Sequence, residues 1–331
     1  MQPADARLAE RLLTDWQRGF PLTERPFARL GQARGASEAE VIDTCVRLLA
    51  QGVVSRIGGV WAPGAGGAAV LCAMAVPSER LQAVAELVNA QPGVNHNYER
   101  EHRFNLWFVA TATDADRLAA MLAAIEQASG LAVLRMKMVR PYRIDLSFDL
   151  GLDPDAAPRS PAHAEAPLQD LAPAVQVAHR PLAALVETGL SPLPEPFAAW
   201  AARLGCTTGE VLRQVQAWLD AGTLRRFGLV VRHHEVGFAA NAMTVFDAPD
   251  DEVDALGARL AAQPGVTLCY QRERAAGWHY NLYCMVHGRS RDATLALVHA
   301  AIAGAGLHAL PHAVLFSRRR FKQTGPRYFR S

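Results

Sequence analysis

The feature that most limits what this 331-residue chain can become is that it says nearly the same thing twice. "GFPLTERPFARL" (19–30) returns as "GLSPLPEPFAAW" (189–200), with Gly19 answered by Gly189 and Phe27 by Phe197. "EVIDTCVRLLAQGVVSRIG" (40–58) returns as "EVLRQVQAWLDAGTLRRFG" (210–228) at the same displacement. "NAQPGVNHNYERE" (89–101) then meets "AAQPGVTLCYQRE" (261–273), and "FNLWFV" (104–109) meets "YNLYCMV" (280–286), the displacement growing by a few residues near "RAAGW". A repeat of this length is a tandem duplication of a domain-sized unit rather than a solenoid. Between the copies, "LDPDAAPRSPAHAEAPLQDLAP" (152–173) has the Pro, Ala and Asp composition of a linker.

Each copy shows the same order of elements. Ser37 with Glu40, and Thr207 with Glu210, form S/T-x-x-E capping boxes ahead of apolar-periodic runs, and Gly52 and Gly222 stand where those helices should end. A short ribbon follows in each half, "VVSRIGGVWAP" and "TLRRFGLVVRHHEVGF", so that helix–turn–helix plus ribbon predicts a winged helix. After it come strand, helix, strand, helix and strand, ending in "LAVLRMKMVRPYRIDLSF" and "LHALPHAVLFS", the pattern of a ferredoxin-like α+β sandwich. The expected fold class is therefore α+β, a tandem duplication of winged helix-turn-helix and ferredoxin-like domains. The expected boundaries are 1–62 and 66–150 in the first half, 151–174 for the linker, and 175–236 and 237–331 in the second.

Charge narrows the function. A DNA-reading helix meets phosphates and base edges with Lys, Arg, Asn or Gln. The helix expected over 38–51 sets Glu38, Glu40 and Asp43 against Arg47; that over 208–221 sets Glu210 and Asp220 against Arg213, with Gln214 and Gln216 supplying no charge. A duplex would repel both, and a net charge of +2 gives the whole chain no pull on nucleic acid. The helices read as scaffold or pairing elements, and no nucleic-acid partner is expected. The five cysteines are scattered without a CxxC pair, no stretch approaches eighteen uninterrupted apolar residues, and "MQPADARLAERLL" has no apolar leader core. A cytoplasmic, soluble chain with no membrane partner is the expectation.

The two-module plan resembles the Lrp/AsnC regulators and covers nearly everything outside the linker, twice. The local motifs are more specifically similar to siroheme decarboxylase, whose two subunit types carry signatures like "NHNYEREHRFNLWF" and "CYQRERAAGWHYNLYCMVHG"; this chain has one of each, in that order, as in a fusion of the two subunits. "SRRRFKQTGPRYF" (317–329) and "RPYRIDLSFDL" (140–150) add to the likeness. The resemblance implies removal of CO2 from two acetate arms of siroheme to give 12,18-didecarboxysiroheme, a step toward d-type or alternative haem. It implies no added cofactor, the iron belonging to the substrate, and siroheme and related tetrapyrroles as partners. It also implies pairing of the two halves with one another, as two subunits would pair, with homo-oligomers of the chain compatible with this.

Within "HNYEREHRFNLWFV" (96–109), a lone histidine at the start of a strand is ordinarily satisfied by backbone or water. Here His96, Tyr98, Arg100 and His102 have even spacing, so an extended chain projects all four from one face, near Phe104 and Trp107. A polar, cationic strip beside an aromatic patch suits a flat macrocycle with acidic arms. His96 and His102 are the expected acids, with Arg100 orienting carboxylates and Tyr98 assisting. Arg103, Trp107, Tyr270, Arg272 and His279 are the expected substrate contacts. In the second copy Leu268 stands for His96 and Arg274 for His102, while His279 aligns with Arg103, so one competent site is expected, with His279 contributing to it or to a weaker second one.

Other motifs carry less. His233 and His234 in "RHHEVG" are adjacent and would point apart in a strand, which suits a wing surface better than a metal site; contact with the macrocycle edge or its iron is the other reading. "GAGG" (64–67) lacks a strand-to-helix setting and reads as a turn. "SRRRFK" (317–322) reads as a solvated strand end that could also grip propionates, and His308 and His312 show no carboxylate partner. A transcription regulator sensing haem or an amino acid is the alternative function, and a non-catalytic tetrapyrrole carrier the third.

Overall fold

The computed structural model describes residues 3–144, 171–231 and 240–329. His233, His234 and most of the expected linker lie outside them. The first half runs α1 (Pro3–Asp15), α2 (Pro26–Arg34), α3 (Glu38–Ala50), β1 (Val54–Trp61), β2 (Ala68–Met74), α4 (Leu81–Ala90), β3 (Val94–Arg100), β4 (Leu106–Ala112), α5 (Ala115–Ser129), β5 (Leu134–Met136) and β6 (Met138–Ile144). The second runs α6 (Arg180–Thr188), α7 (Pro196–Leu204), α8 (Thr208–Asp220), β7 (Leu224–Val231), β8 (Ala240–Phe246), α9 (Val253–Ala261), β9 (Val266–Arg272), β10 (Leu282–Gly288), α10 (Arg291–Ala305) and β11 (His312–Gln323).

The capping boxes form in both halves. The Ser37 hydroxyl accepts from the Glu40 N–H at 3.3 Å while the Glu40 carboxylate accepts from the Ser37 N–H at 2.7 Å, and Thr207 with Glu210 repeats the pair at 3.3 and 2.8 Å. This satisfies helix-end donors that would otherwise face water or stay unpaired. One apolar core then takes residues from both helical units, among them Phe27, Leu30 and Val41 from one and Phe197, Trp200 and Val211 from the other.

The expected wings are not separate hairpins. β1 pairs antiparallel with β7, one strand from each half, in a single two-stranded ribbon. Gly58 and Gly228 face each other across it, and a β-carbon on Gly228 would lie 2.3 Å from the Trp16 carbonyl oxygen. The two glycines leave room for the chain just past α1, at Trp16 and Gln17, and for the end of α6, at Val186.

The remaining strands form one nine-stranded sheet, in the order β5-β2-β4-β3-β11-β8-β10-β9-β6. The segment expected to be a single last strand of the first half breaks at Lys137: β5 stays beside β2, whereas β6 crosses to pair with β9 of the second half. β11 makes the reciprocal exchange without a break, His312 to Phe316 pairing with β8 and Ser317 to Gln323 with β3. Both exchanges have the same register and the same two irregularities, Ser317 opposite Arg100 and Arg320 opposite Tyr98 being matched by Met138 opposite Arg272 and Pro141 opposite Tyr270. The helices of each half cover one face of its strands. A separate core, with Trp107 and Met136 from the first half and Met243, Trp278, Tyr283 and Leu315 from the second, fills the space where the halves meet. No helix among the described residues is long and apolar enough to cross a membrane.

Candidate active site

β3 presents different chemistry on its two sides. Asn97 points at the covering helix, its amide donating to the Ala85 carbonyl at 3.3 Å and to the Asn89 side chain at 3.0 Å. On the other side His96 and Tyr98 stack, with centroids 6.5 Å apart and planes 18° from parallel, and the Arg100 guanidinium lies over the Tyr98 ring at 5.6 Å. These three expected site residues do share a face. Asn95 anchors the first of them: its side-chain oxygen is 2.6 Å from His96 Nδ1, which as a donor there leaves Nε2 as the open nitrogen.

Arg100 is a buried cation. Its Nη1 donates to the Leu315 carbonyl at 3.0 Å and reaches the Asn241 side-chain oxygen at 3.4 Å, and that same oxygen accepts from the Ser317 hydroxyl at 2.7 Å. Arg100 Nε has no hydrogen-bond partner, and no ion pair among the described residues reaches it. Burial pulls its pKa down to about 10 and that of His96 to about 4, so near neutral pH Arg100 keeps its charge and His96 is neutral. The Tyr98 phenol is pushed up, again by burial, against the opposing pull of Arg100 and Arg320. A guanidinium left in low dielectric without a counter-ion is costly unless an anion arrives.

The second half also supplies this face. Arg320 lies across from Tyr98 and Gln323 across from His96, and Arg320 Nη1 donates to Gln323 Oε1 at 3.0 Å. The rest of the basic run faces elsewhere. Arg318 and Arg319 pair with Glu99 and Glu101, and Lys322 donates to the Asn89 and Gln91 carbonyls at 2.7 and 3.2 Å. Sequence marked the run but not the residue within it, because two irregularities shift which side chains share the His96 side.

Two expectations, those for His102 and Trp107, fail on geometry, and the one for His279 is narrowed to the first half. His102 is not on the strip: β3 ends at Arg100, the His102 N–H donates to the Arg100 carbonyl at 2.9 Å, and the chain turns. The His102 ring packs edge-on to Trp278 at 5.3 Å, and its Nδ1 accepts from the Phe104 N–H at 3.1 Å. Burial, with Arg103 nearby, lowers its pKa. Trp107 offers no open aromatic surface; it is buried in the core between the halves, its Nε1 donating to the Phe104 carbonyl at 2.6 Å. His279 does not rebuild the second copy. It joins His102, Arg103, Asp247, Trp278 and Tyr280 around a cavity of about 320 Å³ at the other end of β3, where Arg103 donates to the Gly277 carbonyl at 2.6 Å. The residues inserted near "RAAGW" thus reach across to the first half.

Tyr270 and Arg272 repeat the core of the site: the guanidinium lies 5.1 Å from the Tyr270 centroid and donates to the Met136 carbonyl at 3.1 Å, the place Leu315 takes for Arg100. Burial raises the Tyr270 pKa and lowers that of Arg272. Leu268 occupies the histidine position, so this copy has the cation but no imidazole at the matching place.

A helix-turn-helix unit and an α+β sandwich, each present twice, place the chain in the AsnC-like class. The model of the AsnC-like ligand binding domain matches residues 65–143 and 235–322, and that of the siroheme decarboxylase NirDL-like HTH domain matches residues 9–54 and 180–225. The siroheme decarboxylase NirDL subunit of Paracoccus denitrificans (strain Pd 1222) is 43% identical over 316 residues, covering 95% of each chain. The siroheme decarboxylase of Hydrogenobacter thermophilus is 31% identical over 326 residues, covering 97% of this chain and 94% of its own. A crystal structure of the siroheme decarboxylase NirDL in co-complex with an iron-uroporphyrin III analogue superposes with a TM-score of 0.67 at 27% identity, over 98% of this chain and 94% of that one. The chain belongs to the siroheme decarboxylase NirDL family and is a fusion of two related halves.

Proposed function

We propose that this chain is a siroheme decarboxylase, a carboxy-lyase that takes CO2 from two acetate arms to leave 12,18-didecarboxysiroheme on a route to d-type haem. Family membership supports the activity; the observation that carries the site is the buried Arg100, a cation held beside His96 with no anion paired to it among the described residues. An acetate arm would pair with Arg100 and oppose its loss of solvation. The same anion raises the pKa of His96, so that the bound complex holds the imidazolium that the free protein does not. As the methylene–carboxylate bond breaks, its electron pair stays with the carbon conjugated to the pyrrole. The proton from His96 Nε2 converts the arm to a methyl group as CO2 departs. Tyr98 packs between the two and assists. No electrons enter or leave, so no redox cofactor is required, the iron being part of the substrate. Arg103, His102 and His279 are assigned to carboxylates at the far end of β3, and Tyr270 and Arg272 to the mirror copy, which has Leu268 where the imidazole would stand.

The acidic α3 and α8 and the ribbon shared by β1 and β7 speak against the regulator reading. Anaerobic incubation with siroheme followed by mass spectrometry is the test. Loss of two carboxyl groups is expected; unchanged siroheme bound tightly would make the chain a carrier, and duplex binding with a steep salt slope would make it a regulator.

A further inference from the structure

We propose that Arg320, contributed by the second half, holds a substrate carboxylate in the first-half site, so that the working site is assembled from both halves while its mirror is silent. This rests on the decarboxylase reading above. The duplication provides an internal comparison, because the exchanged strands pair in the same register on both sides of the molecule. Tyr98 and Arg100 are kept in the mirror as Tyr270 and Arg272. The residues around them are not. Leu268 stands for His96, Pro141 for Arg320 and Ile144 for Gln323, in each case opposite the same partner. Asn241 and Ser317, which meet at Arg100, are replaced in the mirror by Ala69 and Met138. The backbone carbonyl on each arginine is kept, but each of these polar side chains that the second half adds to the first-half site is apolar in the reverse direction.

Fold stability does not explain this pattern, since the mirror exchange forms the same strand pairing without these groups. Ligand chemistry does. Arg320 lies directly across from Tyr98, two residues from Arg100, so the backbone positions that carry the two arginines are offset by roughly 7 Å along the strand direction. Two cations at that spacing, one buried and one open to solvent, suit a ligand with several carboxylates around a ring better than one with a single carboxylate. Gln323 holds Arg320 on the same side as His96, whereas Arg318 is turned to Glu99 and Glu101 on the opposite side.

The test compares Arg320→Gln and Arg320→Lys with Arg318→Gln in the full chain, reading siroheme binding by absorbance titration and turnover by mass spectrometry. Arg320→Gln is expected to weaken binding and raise KM by about tenfold or more, the loss of a charge-assisted contact, with kcat changed by less than about twofold. Its binding should also depend less steeply on salt, and Arg320→Lys should recover part of the affinity. Arg318→Gln should leave binding and turnover as they were. Unchanged binding in Arg320→Gln, or an equal loss in Arg318→Gln, would overturn the assignment. Should the unaltered protein bind siroheme without decarboxylating it, the parent reading fails, and the titration still decides whether Arg320 holds a carboxylate.

Discussion

At the scale of single residues, the site is organised around what burial does to two cationic side chains. Arginine keeps its charge when buried because its pKa starts so high, whereas histidine gives up its proton. Arg100 is therefore a standing electrostatic demand, and His96 a base that becomes an acid only when an anion binds. His96→Leu, which recreates the mirror residue Leu268, should keep tetrapyrrole binding and lose turnover by about a hundredfold or more. It should also change the pH dependence of stability. The native state keeps His96 neutral down to about pH 4, while the unfolded chain takes up the proton near its ordinary value of 6.5. The unfolded state thus binds more protons in that window, and stability falls as pH drops from about 6.5 to about 4. Denaturant titrations across this range should show a shallower fall in His96→Leu. An equally steep fall would mean that other groups set the slope.

At the scale of elements, the exchanged strands and the shared ribbon matter most. β11 reaches β3 as one continuous strand where its counterpart breaks at Lys137, and the irregularities in its pairing decide that Arg320 faces the site while Lys322 faces α4. The ribbon depends on close backbone approach: Gly228 lies against the Trp16 and Gln17 carbonyls, at 2.3 and 2.7 Å from where a β-carbon would be. Neither neighbour can yield as a flexible side chain would. Gly228→Ala should destabilise the protein by ~1–3 kcal/mol, the usual cost of overpacking, and lower its melting temperature. A melting temperature equal to that of the unaltered protein would show that the ribbon gives way more easily than its contacts imply. Capping boxes and helix-ending glycines could be read from sequence, because each depends on residues a few positions apart.

At the scale of the whole molecule, the halves are not two domains resting against each other. They share a helical core, a ribbon, a nine-stranded sheet and the Trp107–Trp278 cluster, whose rings meet at 5.0 Å. A protease site introduced between 151 and 170, once cut, should therefore leave the halves co-eluting as one species that retains siroheme turnover. Separation on size-exclusion chromatography under native conditions would contradict the shared sheet. The expectation that the halves pair was available from the repeat. The manner of pairing was not, since a period-two strand pattern says which residues share a face but not which strand lies beside it.

What the sequence determined by itself was the duplication, the class of each unit, the acidic character of the two helices that might have read DNA, and the His96, Tyr98 and Arg100 face. All of these follow from local spacing and from comparing one half with the other. Tertiary structure alone decided that His102 leaves that face where β3 ends, that Trp107 is core, that His279 joins His102, and that Arg320 and Gln323 join His96. Each of these depends on where a strand stops or on which distant strand pairs with it. Those choices are made by burial and by backbone hydrogen bonds between segments more than a hundred residues apart, and no local pattern records them.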